Sequence, residues 1–387
     1  MSHEDRQAAG KRQAGTNVLR KALRVARRER GYFLTEPSFA LLFLTFRCTS
    51  RCKMCTMWKK KTDKDLELSL EEWLNVLDQL HEMGIGTIEF FGGDALLRKD
   101  VLVELVRHAT SLGIISYLPT NSHLMTTDVT EGLVDAGLDF IWFSLDGIDS
   151  VHNEVRGVSK SFLKVDNAVK DLLRARGKRS RPFININCVV SRYNLDHFEE
   201  VVQYADEMGI DSIDIEYVGQ ITQDSIEKSE IHGMHPTPFF VSSSDDASAL
   251  LDWEGAVQLK EKIAELKSKE FRSGLTIDTG KVDMMSKQEM VAGHFANRRC
   301  YITRILMTVD PYGNLSGCPQ FHNYLIGNVR DEPLQALWKS QPHLEFVQAQ
   351  NRGEFDICQF CSMGSGRNST PWQKVQSQYY KLTGTGR

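Results

Sequence analysis

The chain has 387 residues and no apolar stretch long enough to cross a membrane. Phe39-Ala-Leu-Leu-Phe-Leu44, the longest such run near its start, falls far short of the roughly 20 residues a spanning helix needs. The first thirty residues carry many Lys and Arg but no apolar core, so no secretory signal peptide is read there. There is no basic excess either. Lys and Arg number 47 against 51 Asp and Glu, a net charge of −4, which argues against nucleic-acid binding by the chain as a whole. With 41% hydrophobic and 25% charged residues, the chain lacks the polarity of disordered proteins. A cytoplasmic, core-forming protein is the expectation that remains.

Cysteine is scarce, eight in all. In a reducing compartment clustered thiols more often hold metal than each other. Cys48, Cys52 and Cys55 gather near the start; Cys300, Cys318, Cys358 and Cys361 gather near the end; only Cys188 stands alone.

Between the two groups runs a repeated phrase: an amphipathic helix, a Gly, then an apolar strand and a small or polar cluster. Its copies begin at Glu82-Met-Gly84, Ser111-Leu-Gly113, Asp135-Ala-Gly137 and Glu207-Met-Gly209. Gly closes a helix well because it takes the left-handed conformation without a Cβ clash. Short strands alternating with helices predict βαβ units and a parallel sheet. Strands are expected at 39–46, 87–91, 115–119, 139–145, 183–190 and 212–217. Helices are expected near 70–83, 99–112, 126–136, 162–176, 195–208 and 253–269. Ser69 and Glu72 predict a capping box, with Leu68 and Trp73 placed as a hydrophobic staple. No Gly-rich dinucleotide loop follows the first strand. Polar residues collect instead after the carboxyl ends of the strands, where α/β barrels build their sites. The expected fold is α/β, a (βα)6 partial TIM-type barrel, closed or open, with a small C-terminal domain.

The first strand runs into Cys48-x3-Cys52-x2-Cys55. Zinc knuckles use four ligands, and no fourth is near; three thiolates suit a [4Fe–4S] cluster with one iron left open. The spacing and its place after the first barrel strand resemble the radical S-adenosylmethionine (radical SAM) superfamily. The resemblance implies that the open iron binds the amino and carboxylate groups of SAM, and that one electron cleaves the sulfonium to a 5′-deoxyadenosyl radical. It also implies a one-electron donor such as flavodoxin or ferredoxin. Phe90-Phe-Gly92-Gly93-Asp94 resembles the family's Gly-Gly-Glu motif, with Asp94 one methylene short and Ala95 where proline is usual. Thr120-Asn121-Ser122 resembles a Thr-Asn-Gly loop with Ser for Gly, and makes Asn121 a cofactor-side candidate. Phe143-Ser144-Leu-Asp146-Gly147 with His152-x3-Arg156-Gly157 resembles the fourth-strand segment. By that match Ser144 touches the ribose region and Arg156 the SAM carboxylate, to which its planar fork is suited.

The second group gives Cys300-x12-Gly313-x4-Cys318, then Cys358-x2-Cys361. Val309-Asp-Pro-Tyr-Gly-Asn314 has turn chemistry, so 305–309 and 315–318 are expected as a hairpin, followed by a helix near 333–349. Four thiolates make a complete site for zinc or for a fully ligated [4Fe–4S] cluster, and spacing alone does not choose. With Ile326-Gly-Asn-Val329 the pattern resembles the twitch form of the SPASM domain, which implies one auxiliary cluster. Cys188 alternates with Asn185 and Asn187 along its strand. The asparagines are candidate substrate or SAM contacts; the cysteine is a small hydrophobe or, as the radical SAM resemblance implies, a hydrogen-atom donor.

The domains expected are a basic helical lead-in at 1–36, the barrel at 37–272 with a long connection at 220–250, the twitch/SPASM-like domain at 273–366 and a tail at 367–387. The lead-in is a docked surface helix or one that meets a membrane or an acidic partner. His232, His235 and Asp245 in the connection are possible substrate contacts. Three functions remain open at this level: oxidation of a small polyol or amino-sugar-like metabolite with help from the auxiliary cluster, modification of a peptide or protein, or cluster or zinc binding without catalysis.

Overall fold

Most of the apolar strands bury alternate side chains under helices, while the first buries nearly all of its own, and this sets the architecture. The computed structural model describes residues 36–239, 241–242, 249–295, 300 and 302–363. The basic lead-in, save Glu36, and the tail lie outside these residues, as does Asp245. Six parallel strands follow one another: β1 (Phe39–Thr45), β2 (Thr87–Gly92), β3 (Ile115–Thr120), β4 (Phe140–Ser144), β5 (Phe183–Val190) and β6 (Ser212–Tyr217). Every boundary falls within a residue of its expected place. The helices are α1 (Leu70–Glu82), α2 (Lys99–Ser111), α3 (Thr127–Ala136), α4 (Asp149–Arg156), α5 (Ser161–Arg176), α6 (Phe198–Met208) and α7 (Trp253–Ser268).

The expected capping box is formed. Ser69 N donates to Glu72 Oε2 at 2.7 Å and Glu72 N to Ser69 Oγ at 3.2 Å, while Leu68 and Trp73 are fully buried. Gly137 and Gly209 end α3 and α6 at φ of +89° and +68°, conformations a side chain would resist.

Three further strands and an added edge complete the sheet: β7 (Thr276–Asp278), β8 (Leu306–Val309), β9 (Asn314–Ser316) and β10 (Leu325–Asn328). The strand order is β10-β9-β8-β1-β2-β3-β4-β5-β6-β7, so the sheet is a partial barrel that does not close. The C-terminal hairpin continues it: β8 runs parallel to β1, with Leu41 beside Thr308, and β8 and β9 pair antiparallel. The described residues from Pro37 to Met363 form one compact unit.

The helix expected near 333–349 is instead two, Leu334–Trp338 and Gln341–Arg352. Ser340 between them is extended, at φ −67° and ψ 161°. Pro342, in the first turn of the second helix, cannot continue a preceding one. No helix among the described residues is long and apolar enough to cross a membrane.

Strand alternation divides the barrel strands into two faces. Leu42, Ile88, Leu118, Ile141, Ile184, Ile186, Cys188, Ile213 and Ile215 are buried in the core against the helices. Glu89, Tyr117, Trp142, Asn187, Asp214 and Glu216 are half-buried on the opposite, inner face. Cys188 packs as the small hydrophobe expected, and burial pushes its thiol well up.

Candidate functional site

The loop that carries Cys48, Cys52 and Cys55 leaves β1 at a buried carboxylate. Glu67 Oε1 accepts from Thr45 Oγ1 at 2.5 Å and from Arg47 Nε at 3.1 Å. Its Oε2 accepts from Arg47 Nη2 at 2.9 Å and Arg98 Nη1 at 3.2 Å. Sequence patterning missed Glu67, which lies in a charged, aperiodic stretch. Two guanidiniums share this one acid, so Glu67→Gln leaves both under-compensated. The expected loss is about 3 kcal/mol, measured as a lower urea midpoint with an unchanged slope.

The rest of the loop is held by the segments that follow β2, β3 and β4. Gly93 N donates to Thr45 O at 2.9 Å and Asp94 N to Arg47 O at 2.8 Å. Thr49 Oγ1 donates to Asp94 Oδ2 at 2.5 Å, and Asn121 Nδ2 donates to Thr49 Oγ1 at 3.1 Å. Arg51 N reaches Arg156 O at 3.0 Å and Lys53 N reaches Val155 O at 2.9 Å. From the long connection, Phe239 O accepts from Thr56 N at 2.7 Å and from Thr56 Oγ1 at 2.9 Å. Cys48 Sγ lies 3.2 Å from Gly93 O, and Arg156 Nη1 lies 3.8 Å from Cys52 Sγ. Gly92, Gly93, Asp94, Asn121 and Arg156 are thus brought together around the thiols. Ser144 forms no hydrogen bond to this loop and lies beside Asn187 in register; the buried Asn187 Oδ1 has no hydrogen-bond partner.

Several side chains do more, or other, than their motifs imply. A Cβ on Gly92 would lie 2.4 Å from Thr45 O, and one on Gly93 would lie 2.3 Å from Arg47 O. In this structure the two glycines therefore admit the backbone of β1, not only a ligand. Asp94 also caps the turn after β2, accepting from Leu96 N at 3.1 Å, so both its oxygens are engaged and it is buried at 4% exposure. Arg156 pairs with the buried Asp146 at 2.7 Å. Burial works against its charge, but Asp146 and the nearby thiols hold its pKa above the usual value, and its Nε is buried without a partner. Ser122 takes φ +67°, a left-handed position that explains why the resembled motif carries glycine there. His123 was not foreseen. Its Nδ1 lies 3.2 Å from Thr49 Oγ1 and its Nε2 2.8 Å from Ser161 Oγ, and burial lowers its pKa to about 4.

Burial pushes the Cys48 thiol up to about 12 and Cys55 up to about 11. Sulfurs so placed are protonated at neutral pH until a metal centre displaces the proton. The second set of thiols lines a pocket partly open to solvent and walled by Ile302, Phe321, Phe346 and Phe355. Cys300, Cys318, Cys358 and Cys361 all face it, with Gln320 and Gln350. The expected turn is present: Asp310 Oδ1 accepts from Tyr312 N at 2.8 Å and Asn314 N at 2.9 Å, and Gly313 takes φ +84°. Among the described residues no three His, Cys, Asp or Glu side chains converge closely enough to hold a single metal ion. The fit rests on donor chemistry: cysteines outside any disulfide, in half-buried sites, with apolar walls around the second set. Both sets suit thiolate-ligated iron–sulfur clusters. Of the connection's other candidates, His232 Nε2 lies 3.0 Å from Glu345, and His235 Nδ1 3.0 Å from Ser229 O.

Comparison with known proteins agrees with this geometry. The radical SAM superfamily model matches residues 42–205, and the model of SPASM, an iron–sulfur cluster-binding domain, matches residues 300–362. A PqqA peptide cyclase of Bradyrhizobium diazoefficiens is 30% identical over 181 residues, 46% of this chain and 46% of its own length. One from Rhodopseudomonas palustris is 32% identical over 180 residues, again 46% of each chain. The chain thus matches these curated relatives over about half their length. Among solved structures, Streptococcus suis SuiB bound to its precursor peptide SuiA aligns with a TM-score of 0.62 at 16% identity, covering 88% of this chain and 74% of that one. Native anSMEcpe with bound AdoMet aligns at 0.56 and 15%, covering 89% and 96%. These likenesses show the fold.

Proposed function

We propose that this radical SAM protein, with its SPASM iron–sulfur domain, modifies a peptide or protein substrate. Its two domains imply a SAM-binding [4Fe–4S] cluster, an auxiliary cluster and SAM itself. When bound, the first cluster and SAM supply the 5′-deoxyadenosyl radical that takes hydrogen from carbon. Cys48, Cys52 and Cys55 would hold that cluster. Asp94, Asn121 and Arg156 sit around it and orient the loop, with the free Nε of Arg156 available to an anionic group. Cys300, Cys318, Cys358 and Cys361 would hold the second cluster in its apolar cavity.

The observation that carries this reading is the convergence of the segments after β1 to β4 on one cysteine loop at the mouth of an open barrel. An open mouth admits an extended chain. The relatives' names favour a peptide over the small polyol or amino sugar that the four-cysteine second site suggested. The test is anaerobic turnover of the reconstituted protein with dithionite and SAM, followed by chromatography and mass spectrometry. A short-peptide library is expected to raise 5′-deoxyadenosine formation and to yield peptides of altered mass. Stimulation by polyols or amino sugars, with every peptide unchanged, would overturn the reading.

A further inference from the structure

The inner face of the barrel carries one acid that nothing in the fold uses. Glu89 lies mid-strand on β2, between the fully buried Ile88 and Phe90 that face the helices. In register it sits between Leu41 on β1 and Tyr117 on β3. It has no hydrogen bond and no ion pair within 4 Å among the described residues. The other charged groups near it are Glu216 on β6 and Lys281, and these satisfy each other at 2.5 Å. Lys281 belongs to the short helix Gly280–Asp283 that follows β7. Half-buried and with no counter-ion in contact, this carboxylate gives up part of its hydration with nothing in the fold to replace it.

The wall beside it is aromatic. Tyr117 stacks on Phe140 at 4.5 Å and on Trp142 at 4.8 Å between ring centroids, and all three rings are half-buried on the inner face. The same face presents the unpartnered Asn187 Oδ1, a second acceptor awaiting a donor. A carboxylate beside stacked ring faces is the chemistry that receives an alkylammonium or guanidinium, through charge and cation–π attraction together.

We infer that the barrel interior selects a cationic residue: Glu89 receives the ammonium or guanidinium of a lysine or arginine on the substrate, with Tyr117 and Trp142 packing its stem. This rests on the peptide reading and deepens it by naming the class of residue the barrel admits. Burial, opposed by Lys281 and aided by Glu216, pushes Glu89 up to about 7. Tyr117 and Leu41 beside it carry no charge at neutral pH. Cation binding should therefore strengthen as pH rises from 6 to 8 and the carboxylate forms.

The experiment is calorimetric titration of the reconstituted, SAM-loaded protein with the acetylated, amidated peptides Gly-Gly-Lys-Gly-Gly and Gly-Gly-norleucine-Gly-Gly. The lysine peptide is expected to bind about fivefold tighter at pH 8, as a contact near 1 kcal/mol gives, with the margin shrinking at pH 6. Glu89→Gln should abolish the preference while SAM affinity holds. Should that variant fail to bind SAM, the pH dependence in the native chain decides alone. Equal binding of the two peptides at pH 8, or a preference that survives Glu89→Gln, overturns the inference and leaves the peptide reading standing. If no peptide binds but free butylguanidinium does so in a Glu89-dependent way, the peptide reading fails and the cation site stands.

Discussion

A Cys48→Ala, Cys52→Ala, Cys55→Ala variant is expected to take up about four iron atoms after anaerobic reconstitution, where the native chain takes about eight, and to form no 5′-deoxyadenosine. The physical ground is that these sulfurs do little for the fold. The loop is held through its backbone and through Thr49 and Thr56: Arg51 N to Arg156 O, Lys53 N to Val155 O, Thr56 N to Phe239 O. The thiols make loose contacts: Cys48 Sγ lies 3.2 Å from Gly93 O, 3.4 Å from Ser50 N and 4.0 Å from Asn121 Nδ2, Cys52 Sγ 3.8 Å from Arg156 Nη1 and Cys55 Sγ 3.5 Å from Met57 N. Alanine therefore removes ligands and spares the scaffold. The mirror experiment, alanine at Cys318 and Cys361, should leave the first four irons in place. Because burial sets Cys48 near 12 and Cys55 near 11 without metal, loading the first site must release protons, and it should weaken as pH falls. Iron and sulfide assays with proton-release calorimetry check each part. Full iron content and unchanged SAM cleavage in the triple variant would remove the basis for assigning the site to these thiols.

The parts of the fold legible in the sequence are those with long, repeated patterns. The six barrel strands were placed to within a residue because β1 is a continuous apolar run, the others alternate between a helix-facing buried side and a polar or aromatic inner face, and each ends in turn chemistry. Short elements carry too few residues to show a period. Asp149–Arg156 is mostly polar with two valines, and Thr276–Asp278 offers a single apolar residue; both escaped notice. The metal-side candidates were legible because cysteine is rare and its spacing is informative. Glu67 and His123 were not, because a buried acid or imidazole is defined by what surrounds it. Glu67 is surrounded by Arg47 and Arg98, 20 and 31 residues away along the chain, and no local pattern encodes that meeting. Glu89 is legible only once the strand's inner face is known.

Gly93→Ala is expected to damage the scaffold of the site and its first-site iron together. A methyl there would lie 2.3 Å from Arg47 O, 2.7 Å from Arg47 C and 2.8 Å from Phe46 O. All three are backbone atoms, so no side chain can swing aside. Nor can the strand ends part cheaply, since Gly93 N and Asp94 N bond Thr45 O and Arg47 O across the same gap at 2.9 and 2.8 Å. Relief means breaking those bonds and shifting Phe46 and Arg47, which lead directly into Cys48. A loss of about 3 kcal/mol in unfolding free energy is expected, together with poor iron uptake at the first site and normal uptake at the second. Gly86→Ala is the matched control. A Cβ there meets nothing within 4 Å, so its unfolding midpoint should stay within the range of an exposed substitution, about 0.5 kcal/mol. Urea titration of both variants, with iron counted per site from the matching Cys→Ala backgrounds, separates two roles for the glycine pair. If Gly93→Ala unfolds like Gly86→Ala yet loses SAM binding, the glycine serves the approach of a ligand. If it loses stability and first-site iron together, the glycine serves the close passage of β1, and the cysteine loop owes its position to that passage.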